Sequence, residues 1–480
     1  MLGYLGPYPT GQKVTNQTKL KARKFRLSIN FFNFYSASIV IALELDRFYK
    51  ACNPSKTLVA GDPGDYQYYI DFGSVRGGKI IESLQRTITR ISPNEPTCQL
   101  FTGHIGCGKS TELFRLKAEL EQEGFCVVYF ESSQDLDMGD VDISDILLSI
   151  ARQVSETMEA AKIKLRPSYF TNLFAEVAEF LQTPIDLSAE AELSIGIARV
   201  TAKTKDSPKL RSQLRQYLEP RTNSILQSIN EELLDKANAE LKQQGKKGLA
   251  VIVDNLDRLD ASLKPSGRTQ PEYLFLDRGE QLKKLNCHVV YTIPLTLIFS
   301  NDFGRLASRF GVKPKVMPMV PVQMRSGDDH QEGMALLRQL VLARAFPTVA
   351  PLERIDLITK VFDSPETLDR LCRISGGHVR NLLMLLYSCL QHEDPPFSSE
   401  CLESVIQEYR DDLLGAINDM EWELLFQVVN RQSVTGEEES QILLRSMFVF
   451  EYRDREGRWF GINPALAETR KYQEWKQRTP

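Results

Sequence analysis

Eight residues, Gly103-His104-Ile105-Gly106-Cys107-Gly108-Lys109-Ser110, constrain the fold more than any other stretch of the chain. Three glycines in six positions let the backbone curl with its N–H groups turned inward, a concavity that side chains with a Cβ would obstruct. The apolar run CQLFTG (98–103) leads into this loop, and KSTELFRLKAELEQEG (109–124) leaves it with helical spacing closed by Gly124. A strand turning through such a loop into a helix aims the helix N-terminus, with its partial positive charge, into the concavity, which suits phosphate. Lys109 has the reach to add a full positive charge, and the Ser110 hydroxyl can ligate a divalent cation. With Thr111 on the same first turn, Gly103 to Thr111 are the candidate binding residues.

Around the loop, strand and helix patterns alternate. FCVVYFES (125–132), GLAVIVD (248–254), CHVVYTIP (287–294) and KVMPMVPV (315–322) read as further strands, the last demoted to an edge by its prolines. Such alternation predicts an α/β fold, a parallel sheet between two helical layers. Before it, GGKIIESLQRTITRI (77–91) reads as a helix stopped by Pro93 and Pro96. From Glu131 to Ala250 the chain is far longer than one crossover needs, so a helical insertion at about 155–245 is expected, with breaks near Pro167, Pro184, Pro208 and Pro220. MALLRQLVLARAF (334–346) and LDRLCRISGGHVRNLLMLLYSCL (368–390) predict a helical lid over 326–412. Two short helices, EWELLFQVV (421–429) and EEESQILLRSM (437–447), precede a hairpin centred on Gly457 (448–462), which suggests a winged-helix domain over 413–480. The core then spans 44–325, after a poorly ordered extension at 1–43.

That extension carries five basic residues between Lys19 and Arg26 and then an uncharged run from Leu27 to Leu43. The run is short for a membrane helix and holds Asn30, Asn33 and three serines, so a membrane anchor or export signal is not expected. Net charge is −4, from 59 basic and 63 acidic residues, so any contact with nucleic acid needs a local basic face. Two such faces are Lys209, Arg211, Arg215 and Arg221 in the insertion, and Arg453, Arg455 and Arg458 in the wing, where Asp454 and Glu456 interleave them. Eight cysteines and five histidines show no metal-ligand spacing and read as reduced residues of a cytoplasmic protein. Cys107 is the exception: inside the loop, beside a lysine and a helix N-terminus, it is a candidate reactive thiol.

GLAVIVD ends on acid. A carboxylate at the C-terminal edge of a parallel strand borders the crevice where ligands sit, so Asp254 can hold Mg²⁺ with Ser110. The next position is Asn255, which cannot act as a base, and the next acid is Asp257. Thr292, at the end of its strand, can hydrogen-bond a terminal phosphate or simply fill a strand position. In the lid, SGGHVR places Arg380 at the start of an apolar helix.

Taken in order, GHIGCGKST, VIVDNLDR, the Thr292 strand and SGGHVR resemble AAA+ and STAND P-loop ATPases, especially the origin-recognition-like branch. VDNLDR also resembles KAP-type bacterial NTPases. The resemblance covers roughly residues 70 to 470. It implies ATP and Mg²⁺ as ligands, Asp254 as the metal-holding acid, Asp257 as the group that activates water, and Thr292 and Arg380 as contacts of the γ-phosphate. It also implies a homo-oligomer in which Arg305 or Arg309 reaches a neighbour's nucleotide. Asn255 and the long insertion depart from the family and point to slow turnover. The reading is an ATPase acting as a nucleotide-driven conformational switch that moves the insertion or the winged helix, with a protein or DNA as partner. The alternatives are a DNA-binding initiator- or defence-type ATPase, and a nucleotide-binding scaffold with little hydrolysis.

Overall fold

Four apolar runs rich in β-branched residues, with one short edge segment, make five parallel strands: β1 (Cys98–Gly103), β2 (Cys126–Glu131), β3 (Leu249–Asp254), β4 (His288–Thr292) and β5 (Lys315–Met317), ordered β2-β3-β4-β1-β5. The computed structural model describes residues 42–165, 167–181, 193–205, 207–264 and 266–478. The expected N-terminal extension therefore lies outside the described residues, apart from its last two positions. Every residue of β1, β3 and β4 is buried, as befits strands covered on both faces. Registers that pair Phe101 with Thr292, Val253 with Tyr291 and Glu131 with Asp254 bring the strand ends to one edge.

The edge strand is shorter than its sequence suggests. Pro318 and Pro321 cannot donate to a ladder, so β5 stops at Met317. The following strap makes other bonds, from Met319 N–H to the Glu451 carbonyl (2.9 Å) and from Val320 N–H to the Gly377 carbonyl (3.3 Å).

The helix Lys109–Gln122 buries Leu113, Leu116 and Leu120 against the sheet. Ile80–Arg86, which runs on into a π turn, does the same with Ile81, Leu84 and Ile88. Among the described residues between β2 and β3, the short helix Ser132–Asp135 is followed by six more α-helices, from Ile143–Ala160 to Asp235–Gln243. Pro167 caps one, Pro208 opens another and Pro220 sits in a 3₁₀ turn, whereas Pro184 lies outside the described residues. Three of the four basic residues there are spent internally: Arg211 pairs with Asp137, Arg215 with Asp140 (2.5 Å) and Asp145 (3.1 Å), and Arg221 lies over the Tyr217 ring, whereas Lys209 is exposed.

Helices Gln331–Ala345, Pro365–Ile374, Val379–His392 and Ser399–Ala416 follow the strap. Two more, Asp419–Arg431 and Glu438–Arg445, precede the antiparallel hairpin of β6 (Val449–Asp454) and β7 (Gly457–Ile462). The hairpin does not stand off from the sheet. Phe450, Tyr452 and Trp459 are buried in one cluster with Phe101, Leu113, Ile252 and Met317. Some of its charges are also engaged: Asp454 binds Arg325 (2.6 Å), and Arg458 binds Glu451 (2.7 Å) with its guanidinium over the Phe299 ring, whereas Arg453 and Arg455 are exposed.

Candidate functional site

Two glycines of the loop have separate reasons to be glycine. Gly108 (φ +104°) sits in open space but in a conformation that L side chains rarely adopt. Gly106 (φ +87°) is also crowded, since a Cβ there would stand 2.7 Å from His378 Nε2. Lys109 follows, buried, and its ammonium curls back across the loop. It donates to the carbonyls of Gly103 (2.9 Å) and His104 (2.8 Å) and pairs with Asp257 Oδ2 at 2.9 Å. Burial works against this charge, but Asp257, together with Cys107 and Asp254, offsets it and holds the lysine above its ordinary pKa. All three N–H groups of the lysine are thus engaged.

Asp254 lies beneath that pair. Its carboxylate accepts from Asn255 N–H (2.7 Å) and the Tyr129 hydroxyl (2.8 Å). Burial and then the charge of Asp257 push its pKa up, while hydrogen bonds from Ser110 and Tyr129 pull it down. Asn255 adopts the left-handed conformation (φ +66°), which asparagine tolerates better than most residues. Its amide donates to Glu131 (3.2 Å) and Ser133 (3.1 Å), so the position without a carboxylate ties β3 to β2. The turn it starts, Leu256–Arg258, is held from below by the Thr292 hydroxyl, which accepts from Leu256 N–H (3.0 Å). Thr292 is fully buried and does not line the cleft. The structure therefore places it as a support of the acidic turn, where its sequence position suggested a phosphate contact.

The lid meets the loop directly. His378 Nδ1 accepts from Asn381 N–H (3.1 Å), which leaves Nε2 to donate to the Ile105 carbonyl (2.7 Å), and Arg380 N–H donates to the Gly106 carbonyl (3.2 Å). The Arg380 side chain lines the cleft; burial and then the nearby charge of Arg258 lower its pKa. On the opposite side the buried His104 ring accepts from Glu451 N–H (3.1 Å), tying the loop to the hairpin.

Burial sets the titration of this junction. It lowers His104 to about 3 and His378 to about 4, and raises Glu451 to about 7 against the pull of Arg458. The unfolded chain ionises Glu451 near 4.5, so its stabilising contribution is full below that pH and is lost as pH rises to about 7. The histidines act oppositely: kept neutral in the fold, they cost stability as pH falls from 6.5 towards 4. Glu451→Gln should therefore melt progressively higher than the parent as pH is raised from 5 to 8. Parallel melting curves across that range would show that Glu451 does not titrate in this way.

Leu58, Ile70, Phe72, Leu340 and Leu383 also line the cleft and give it apolar surface of the kind that suits a flat base. Arg76 is buried behind the loop, donating to the Cys107 carbonyl (2.8 Å) with its guanidinium over Phe72. Leu340 and Leu383 come from the periodic lid helices, whereas Leu58, Ile70, Phe72 and Arg76 belong to no motif and lie in a stretch without a periodic signal. Arg258 was equally unread, although it stands next to Asp257 in VDNLDR and lines the cleft.

Arg305 is bound to Asp302 (3.1 Å) and Arg309 donates to the Asp277 carbonyl (3.2 Å), both outside this chain's own cleft. One sequence expectation lands elsewhere. The Cys107 side chain is wholly buried, its sulfur turned into the cluster and 4.0 Å from the Met317 carbonyl, so the thiol is not presented to phosphate or to reagents.

A parallel sheet, a glycine loop opening a helix, a buried lysine and an acid at the neighbouring strand end define a P-loop NTPase fold. Within that class, residues 78–263 match the family model described as the KAP family P-loop domain. Among solved structures, the chain is similar to the Aeropyrum pernix ORC1 protein in complex with DNA (14% identity, 83% of this chain and 93% of that one, TM-score 0.34). It is also similar to Drosophila ORC bound to DNA (10%, 98% and 97%, TM-score 0.36) and to a Walker-type ATPase of Pyrococcus abyssi (13%, 80% and 94%, TM-score 0.36). Likeness at this level transfers no activity or partner. No curated protein sequence matches the chain. Among the described residues, no helix is long and apolar enough to cross a membrane.

Proposed function

We propose that the chain binds ATP with Mg²⁺, hydrolyses it slowly, and uses the nucleotide state to move its lid against the sheet. The observation that carries this reading is the buried Lys109–Asp257 pair at the mouth of the glycine loop. A phosphate entering the loop gives Lys109 a better partner, and Asp257 is then released to take a proton from water. Asp254 and Ser110 suit Mg²⁺, which needs only one or two protein ligands besides phosphate oxygens and water. The ion supplies charge neutralisation on the phosphates. Asp257 is the acid we assign to activate water, because it lines the cleft beside Lys109 while Asn255 offers only an amide, and this favours slow turnover.

Arg380 reads the terminal phosphate from the lid, whose backbone already bonds the loop. The two helices and hairpin of the C-terminal segment fit a winged helix used for packing. A DNA-binding role finds less support, since Arg211, Arg215 and Arg458 are already paired within the chain.

The test is phosphate release from Mg-ATP. The parent should turn over, and Asp257→Asn should lose roughly 100-fold or more in rate while still binding nucleotide. If that variant hydrolyses ATP at the parental rate, the base assignment fails.

A further inference from the structure

We propose that Arg258 is a second ligand of the terminal phosphate, supplied from within the chain, and that it closes with Arg380 as a two-arginine clamp. This rests on the nucleotide reading of the cleft and assigns a residue which that reading does not require.

Three observations converge on Arg258. The first is a fixed backbone. Arg258 N–H donates to the Asn255 carbonyl (3.1 Å), Leu256 is wholly buried, and Asp260 N–H donates to the Met138 carbonyl (3.2 Å), so the turn is pinned on both sides of the arginine. The second is position. Arg258 lines the cleft with Lys109 and Arg380, and it also lines an adjoining cavity between the loop and the C-terminal segment, with His104, Pro294, Leu444 and Met447. It stands where the two spaces meet, beside Asp257 and therefore beside the acid proposed to act on water.

The third is charge. Among the described residues, neither the Arg258 nor the Arg380 guanidinium has an ion pair or a side-chain hydrogen bond, and Asp257, the acid between them and the loop, is taken by Lys109. The two guanidiniums are close enough that Arg258 destabilises the charge of Arg380. Two unpaired cations facing one cleft repel each other until an anion lies between them. Guanidinium forks match phosphate oxygens in pairs, so a terminal phosphate satisfies both. A diphosphate, one group shorter, reaches neither as well. The clamp would thus set preference for the triphosphate, while Lys109 and the loop bind both nucleotides.

Calorimetric titration with ADP and with a non-hydrolysable ATP analogue tests this on the parent, Arg258→Ala and Arg258→Lys, alongside phosphate-release rates. Arg258 is exposed and unbonded, so the alanine variant should melt with the parent and keep its ADP affinity. Its affinity for the triphosphate analogue, or its turnover, should fall by roughly 10- to 100-fold, the range for a lost charge-assisted hydrogen bond. Lysine should restore only part of this. Combined with Arg380→Ala, the loss should be less than the product of the two single effects, because one arginine alone cannot clamp. An Arg258→Ala variant with the parental ratio of triphosphate to diphosphate affinity and parental turnover overturns the clamp and leaves the nucleotide reading intact. A parent that binds neither nucleotide overturns both.

Discussion

Lys109→Ala is expected to lose ATP binding and also to destabilise the resting protein by about 3 kcal/mol, the lower end of the range for breaking a buried ion pair from one side. A phosphate-loop lysine read from sequence looks dispensable to the fold, since its partner is the ligand. Here its partner is Asp257, 2.9 Å away, with both side chains at least 95% buried. Alanine leaves that carboxylate charged and dry, and removes the donor from the carbonyls of Gly103 and His104. Asp257→Asn in the same chain should recover most of the lost stability without restoring ATP binding. Urea denaturation of the parent, the two single variants and the double variant yields the coupling energy. A Lys109→Ala midpoint equal to the parent's would show that the pair contributes nothing in solution.

Gly377→Ala is expected to be the most damaging small substitution in the lid, costing roughly 4 kcal/mol or more, a range reserved for strain and overpacking. Gly377 has φ +73°, and a Cβ there would stand 1.6 Å from the Val320 carbonyl oxygen. The obstacle is backbone, and it cannot drift, because Val320 N–H returns a bond to the Gly377 carbonyl while Met319 N–H is held by Glu451. Relief must come from lifting the lid, which pulls His378 from the Ile105 carbonyl and Arg380 from Gly106. The variant should therefore lose ATP affinity along with stability, and gain protease sensitivity at the 376–378 turn. Unchanged denaturation and unchanged nucleotide affinity would mean that the lid is not docked as described.

What the sequence made legible was local. The glycine loop, the strand before it, the helix after it and Asp254 at a strand end are each written within a few consecutive residues, and the structure places them together. The β5 expectation failed at Pro318, where a missing N–H ended the ladder. Thr292 was placed on the right strand end, but its hydroxyl serves Leu256, a relation between strands that periodicity does not encode. Cys107 was judged by its neighbours in the chain, whereas its direction is set by Phe101 and Met317. Arg76, His104 and Lys109 owe their settings to Cys107, Glu451 and Asp257, up to 347 positions away. Such pairings depend on which surfaces fold against each other.

The docked hairpin has a consequence for how the chain is made. Phe450, Tyr452 and Trp459 complete the cluster around the glycine loop, yet the ribosome delivers them long after Phe101 and Leu113. At a synthesis rate of about 5–20 residues per second, tens of seconds separate the two events. Throughout that interval one side of the sheet lacks its cover, and the loop lacks the Glu451 backbone bond that fixes His104. The nascent chain thus carries a complete glycine-loop motif and an open apolar surface together, exposed to aggregation until the hairpin arrives.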